Sequence, residues 1–175
     1  MNLPNFLTLT RILLVPFFVM AVVYRYFPYA IGVFFAASVT DGLDGLLARS
    51  LRQKTKLGAI LDPLADKLLL TSAYITLGVL HLIPFWLTLV VVSRDVIIAL
   101  GILVILILGF NYEVRPRMVS KATTFFQIIA VLAVLCAQLG HIKSRYLLIL
   151  YLLTAFLTIT SGLYYMYLGI KIVNT

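Results

Sequence analysis

The 175-residue sequence predicts an all-α integral membrane protein of six transmembrane helices, and three observations carry that prediction. Hydrophobic residues make up 63% of the chain and charged residues only 11%, against about 25% charged in an average soluble domain. Charges are also placed unevenly: residues 12–24, 26–40, 68–93, 96–112, 122–140 and 146–170 contain no Asp, Glu, Lys or Arg. Finally, the bases fall on alternate connections. With a cytoplasmic N-terminus, Arg49, Arg52, Lys54, Lys56, Arg115, Arg117 and Lys171 lie inside, while the outer connections hold Arg25, Lys143 and Arg145. That asymmetry is the positive-inside pattern.

A hydrocarbon core about 30 Å thick needs about 20 helical residues, which places spans at 4–24, 29–49, 58–80, 84–109, 120–140 and 146–170. They occupy nearly the whole chain, so residues 1–175 are expected to form a single membrane domain. The first helix has no small-residue cleavage site and reads as a retained span rather than a signal peptide. Cys136 is the one cysteine, which excludes a disulfide framework or a cysteine-built metal site. The net charge of +8 points to membrane topology and anionic lipid, not to nucleic acid.

Span one opens with Asn5, Thr8 and Arg11 at three-residue steps, which puts them on one helical face. That face either anchors the helix at the interface or closes over a headgroup site beside spans two and three. Span two is apolar until Thr40 and then reads Asp41-Gly42-Leu43-Asp44-Gly45-Leu46-Leu47-Ala48-Arg49. Asp41 and Asp44 point the same way, and Gly45 with Ala48 leaves an opening for a close approach to the backbone. Gly42 reads as small-residue helix packing. Residues 49–57 form a short basic loop. Span three starts at Gly58 and carries Asp62 and Asp66 one turn apart, with Pro63 able to bend it locally.

Four of the six acidic residues therefore fall in one 26-residue window between apolar runs. Each costs roughly 2.5–3.5 kcal/mol at the centre of a membrane helix. Counting along two antiparallel helices brings both Asp pairs to similar levels, near the cytoplasmic ends of spans two and three. Four converging carboxylates suit a pair of hard divalent ions, Mg2+ or Mn2+, of the kind that clamps oxygens on phosphorus. Ion pairing with Lys67, Arg49 or Arg94 could satisfy one or two of these acids, but hardly four.

Span four has His81 at its outer edge and Ser93-Arg94-Asp95 within. Neighbouring residues do not face each other on a helix, so Arg94 and Asp95 are not expected to be simply each other's partner. Arg94 suits an anionic substrate group, with Asp95 orienting a neighbour. An ideal helix counted back from Phe110 nevertheless places Arg94 deep, so either this helix projects beyond the bilayer or Arg94 is structural. Arg115, Arg117, Ser120, Lys121, Thr124 and Gln127 lead into span five as a basic, polar cluster that either suits a second phosphate or anchors the inner side of the membrane, with Lys121 standing out for the first. Span six shows no chemistry; its tyrosines Tyr146, Tyr151, Tyr164, Tyr165 and Tyr167 read as interfacial anchors, as do His81 and His141.

Written as a pattern, the window from Asp41 to Asp66 is D-x-x-D-G-x-x-A-R-x8-G-x3-D-x3-D, and it resembles the signature of the CDP-alcohol phosphatidyltransferase family without a departure. The resemblance implies transfer of a phosphatidyl group from CDP-diacylglycerol to an alcohol with release of CMP, usually by a homodimer. It assigns the metals to Asp41, Asp44, Asp62 and Asp66, and makes Asp66 the base on the acceptor hydroxyl. Gly45, Ala48, Arg49 and Gly58, with Asn5 and Thr8, would line the CDP site. Asn5, Thr8, Arg11, Ser93, Arg94, Lys121 and Thr124 resemble the branch whose acceptor is glycerol 3-phosphate, the acceptor favoured here. Arg94, Arg117 and Lys121 would then hold the acceptor phosphate. Leu82-Ile83-Pro84, Asp95 and Arg115-Pro116 resemble instead the branch that uses phosphatidylglycerol. A bacterial inner membrane with the site facing the cytoplasm is the expected setting. A cation transporter would also contain intramembrane carboxylates, but has no use for Gly45, Ala48 and Arg49 at fixed spacing. An aspartate-rich prenyltransferase shares only the paired acidic motifs and needs more spans.

Overall fold

The computed structural model describes the backbone of residues 3–51, 58–107, 118–140 and 144–173, and side chains within 9–40, 67–103, 120–140 and 145–170. The described backbone contains six helices: α1 (Leu3–Val23), α2 (Phe27–Leu51), α3 (Gly58–Val79), α4 (Phe85–Ile107), α5 (Met118–Gln138) and α6 (Ser144–Val173). Each matches one predicted span. The larger differences are at α6, which continues to Val173, and at α2, whose helix reaches Leu51 and so includes Arg49. Helix α3 passes Pro63 without a break in its helical assignment.

The helices form two groups. Helix α1 packs on α2 and α3, and α6 packs on α4 and α5. The groups join where α5 meets α2 and α3, and where α4 turns back along α3. Phe18 and Phe34, with ring centroids 5.3 Å apart, centre the α1–α2 contact, a pairing worth about 0.5–1.5 kcal/mol beyond the area it buries. The cluster continues through Leu70, Tyr74 and Leu77 of α3, Leu87 and Val91 of α4, and Val134 and Leu135 of α5.

Outside this cluster the polarity is the reverse of a soluble protein's. Thr88, Arg94, Asp95, Thr123, Gln127, Thr154, Thr158 and Ser161 are buried, while Leu13, Phe17, Leu152, Phe156, Leu163 and Ile170 are well exposed. A continuous apolar exterior around a polar seam suits lipid tails, not water. By length and composition, the described parts of α5 (Ser120–Gln138) and α6 (Arg145–Ile170) are each long and apolar enough to cross a membrane. Shorter apolar helical stretches cover Leu9–Val23, Phe27–Thr40 and Lys67–Val79.

Two helix ends close in an unexpected way. His81 lies in the α3–α4 turn, not in a span, and adopts φ 55°, while Arg25 after α1 adopts φ 61°. In both turns, paired backbone bonds satisfy the last carbonyls: Leu82 N–H donates to Leu77 O (2.9 Å) and Tyr26 N–H to Ala21 O (2.8 Å). This left-handed closure is the position where glycine is usual. His81 is thus a helix-capping residue, with its interfacial exposure a consequence of that place.

Gly78 lets α4 approach α3. A Cβ there would overlap the Thr88 hydroxyl and lie 3.2 Å from its Cβ, and that hydroxyl donates to Tyr74 O at 3.1 Å. Gly78→Ala is therefore expected to destabilise the bundle by about 1–3 kcal/mol. A lowered thermal midpoint of the detergent-solubilised protein checks this, and an unchanged midpoint would show that the helices separate without cost.

Candidate active site

The described part of the site is built around one guanidinium. Arg94 and Asp95, on α4, are only 5% and 7% exposed. Arg94 Nη1 donates to Asp95 Oδ1 at 2.7 Å, and Nη2 donates to Ser120 Oγ of α5 (3.0 Å) and Ser161 Oγ of α6 (2.9 Å). The same Asp95 oxygen accepts from Lys67 Nζ of α3. The Tyr165 ring centroid lies 6.0 Å from Arg94 Cζ, at the outer limit for a cation–π contact. The Arg94 stem packs beside Gly162, where a Cβ would make ordinary contact at 3.4 Å from Arg94 Cγ.

Two expectations are corrected by this cluster. Arg94 and Asp95 are direct partners despite being adjacent, because the long arginine side chain can curl across the turn that separates them. Span six also contributes to the surroundings of Arg94, through the Ser161 hydroxyl and the nearby Tyr165 ring, and their types and spacing gave no sign of it among so many apolar neighbours. The same contacts fix the level of Arg94 within the bundle. It is level with Ser120 in the first turn of α5, while α4 continues to Ile107, about 20 Å further at 1.5 Å per residue. Helix α4 projects past the start of α5, and Arg94 is held structurally at that level. Among the described residues, Arg94 Nε is buried without a hydrogen-bond partner.

The other predicted residues divide as follows. Lys121 follows Ser120 in the chain and is exposed, so it is one residue from an Arg94 partner. Arg11 is 2% exposed, so its own side chain is interior, on a helix that packs against α2 and α3. Tyr151 is likewise buried in the core rather than interfacial, whereas Tyr146 and Tyr167 are exposed. The backbones of Asn5, Thr8, Asp41, Asp44, Gly45, Ala48, Arg49, Gly58, Asp62 and Asp66 are helical, but their side chains lie outside the described residues. Arg117 and His141 lie outside them entirely. Helices α2 and α3 share α1 and α5 as neighbours, and Thr40 next to Asp41 and Lys67 next to Asp66 are the described residues nearest in sequence to the carboxylates. Among the described residues no group of three or more His, Cys, Asp or Glu gathers as a metal site.

A second polar layer extends along α5 and α6. Gln127 Nε2 donates to Thr158 Oγ1 at 3.2 Å, Thr123 donates to Leu157 O at 3.1 Å, and Tyr74 donates to Gln127 O at 3.2 Å.

The profile of one protein family, described as CDP-alcohol phosphatidyltransferase, matches residues 1–161. The chain belongs to the CDP-alcohol phosphatidyltransferase family. Among curated relatives, the human cardiolipin synthase (CMP-forming) is 37% identical over 99% of this chain, and the chain spans 63% of that protein's length. The CDP-diacylglycerol–glycerol-3-phosphate 3-phosphatidyltransferase of Haemophilus influenzae is 35% identical over 94% of the chain and 91% of its own length. The Bacillus subtilis protein of the same name is 38% identical over 79% of the chain and 78% of its own. Membership in the family agrees with the signature pattern on α2 and α3.

The Gln127–Thr158 contact gives a test of the polar layer. Thr158→Val strands the buried Gln127 amide and is expected to cost about 1–3 kcal/mol. Adding Gln127→Leu should restore most of the loss, as read by thermal unfolding in detergent. A double variant less stable than Thr158→Val alone would show that the pair is not the stabilising unit.

Proposed function

We propose that this protein transfers the phosphatidyl group of CDP-diacylglycerol to glycerol 3-phosphate, giving phosphatidylglycerophosphate and CMP. The observation that carries the reading is the unbroken carboxylate pattern on α2 and α3 in a chain matched by the family profile over residues 1–161. The match with the Haemophilus influenzae enzyme, which runs through 91% of that protein, supports the choice of acceptor. A second reading, phosphatidylglycerol as acceptor, is favoured by the human cardiolipin synthase match over 99% of this chain.

In this reading all six helices span the bilayer, with the cytoplasmic ends of α2 and α3 at the active site and a homodimer as the assembly. For a bacterial chain, that membrane is the inner one. The donor set consists of four carboxylates and no sulfur or imidazole ligand, which suits Mg2+ or Mn2+. Asp41, Asp44, Asp62 and Asp66 would hold two such ions, which when bound neutralise the pyrophosphate charge. Gly45, Ala48 and Gly58 leave space for the cytidine diphosphate, Arg49 faces its pyrophosphate, and Asn5 and Thr8 close over the headgroup from α1. Arg94, Lys121 and Arg117 hold the acceptor phosphate. Asp66 takes the proton from the acceptor's primary hydroxyl as its oxygen bonds to the β-phosphorus. The bond from that phosphorus to the bridging oxygen breaks, and CMP leaves with the electron pair.

Purified protein given CDP-diacylglycerol, Mg2+ and either labelled glycerol 3-phosphate or labelled phosphatidylglycerol decides the acceptor. Label in phosphatidylglycerophosphate is expected; label only in cardiolipin would move the acceptor to the lipid. Asp66→Asn is expected to lower turnover by at least the roughly 100-fold typical of losing a general base, with the thermal midpoint retained. A substantial rate in that variant would remove Asp66 from the role.

A further inference from the structure

We propose that Asp95 is a positioning residue for the transfer, tying the turn that carries Asp66 to the cation that holds the acceptor phosphate. The inference rests on the functional reading above and adds a residue to it. One carboxylate oxygen accepts from two cations on different helices: Lys67 of α3, immediately after Asp66, and Arg94 of α4. The oxygen is thus a fixed point shared by the element of the base and the element of the anion site.

The surroundings show why Asp95, rather than any other group, sets this geometry. Asp95 and Arg94 are almost fully buried, while the Lys67 side chain is 43% exposed. Arg94 is held from three directions by Asp95, Ser120 and Ser161, with its stem beside Gly162. The two serines belong to α5 and α6, so they fix Arg94 relative to those helices only. Asp95 is the described group that relates it to α3. The attacking hydroxyl and the phosphate belong to one small acceptor, so base and phosphate cation must keep a set separation. A displacement of about 1 Å can cost on the order of 100-fold in rate.

A purely structural clamp would lower the amount of folded protein and leave both Michaelis constants alone. A positioning role reads differently. Asp95→Asn, purified in detergent with its elution and thermal midpoint recorded, is expected to lower kcat/KM for the acceptor by on the order of 100-fold. Its KM for CDP-diacylglycerol should stay near wild type, and Asp95→Glu should recover part of the loss. Lys67→Met removes the half-exposed partner while Asp95 keeps its bond to Arg94, so it tests the same link if Asp95→Asn fails to fold; it is expected to weaken acceptor use as well. Where both singles fold, the double variant should be no worse than Asp95→Asn, because both act through one bridge. Unchanged acceptor kinetics in Lys67→Met, or losses that multiply in the double variant, would overturn the inference. Wild-type protein that releases no CMP with either alcohol would instead overturn the functional reading, and this inference with it.

Discussion

A guanidinium buried in an apolar bundle constrains everything around it. Moving a charge out of water costs several kcal/mol even after relaxation, and the cost is offset only where partners meet the charge in good geometry. Arg94 meets Asp95 on its own helix, Ser120 on α5 and Ser161 on α6, while Asp95 meets Lys67 on α3. Four of the six helices are therefore tied to one another through a few polar atoms. Sliding any one of them by a turn would leave a charge or hydroxyl without its partner.

Such ties matter more when the exterior is lipid. Apolar side chains gain little by leaving acyl tails for one another, so helix association depends on close packing and internal polar contacts. The bundle uses both. Gly78 lets Thr88 reach the Tyr74 carbonyl, and the α5–α6 contact is held by Gln127 with Thr158 and by Thr123 with the Leu157 carbonyl. The α1–α2 side relies on aromatic packing, with Phe18 against Phe34. The polar seam lies on the α3–α6 side, next in sequence to the carboxylates.

The helices were legible because the charge-free apolar runs are bounded by charged and turn-forming residues, and each described helix falls on one of them. The family was legible because eight positions at fixed spacing are hard to match by chance. The Arg94 environment was not. Beyond Asp95 its partners come from residues 120, 161 and 165, with Lys67 joined to it only through Asp95, and these are far apart in sequence. Ser161 drew no notice and Tyr165 read as an interfacial anchor, because packing, not periodicity, selects which side of α6 meets Arg94. Adjacency misled too: helical geometry separates the directions of residues 94 and 95, but side-chain length can close that gap. Arg11 and Tyr151 show the same limit, since a residue type common at interfaces is interior wherever a neighbouring helix covers it.

The two acceptors that divide the relatives differ less than their names suggest. Glycerol 3-phosphate and the headgroup of phosphatidylglycerol present the same three-carbon unit, with a phosphate at one end and a primary hydroxyl at the other. Under the proposed reading, the span from the phosphate cation to Asp66 is of similar length for both. In that reading the metal carboxylates and the base act at the hydroxyl end, which both acceptors present, so the signature pattern alone does not separate them. What differs is the handedness at the central carbon and one phosphate oxygen, free in the small acceptor and esterified to diacylglycerol in the lipid. Discrimination must therefore arise where the phosphate is held: a dianion rewards additional cations, whereas a diester needs a lateral opening through which its acyl chains stay in the bilayer. This accounts for a chain that is similar to enzymes of both names at nearly equal identity. In the proposed reading the choice of acceptor falls to the surroundings of Arg94, and the chemistry of transfer is common to both.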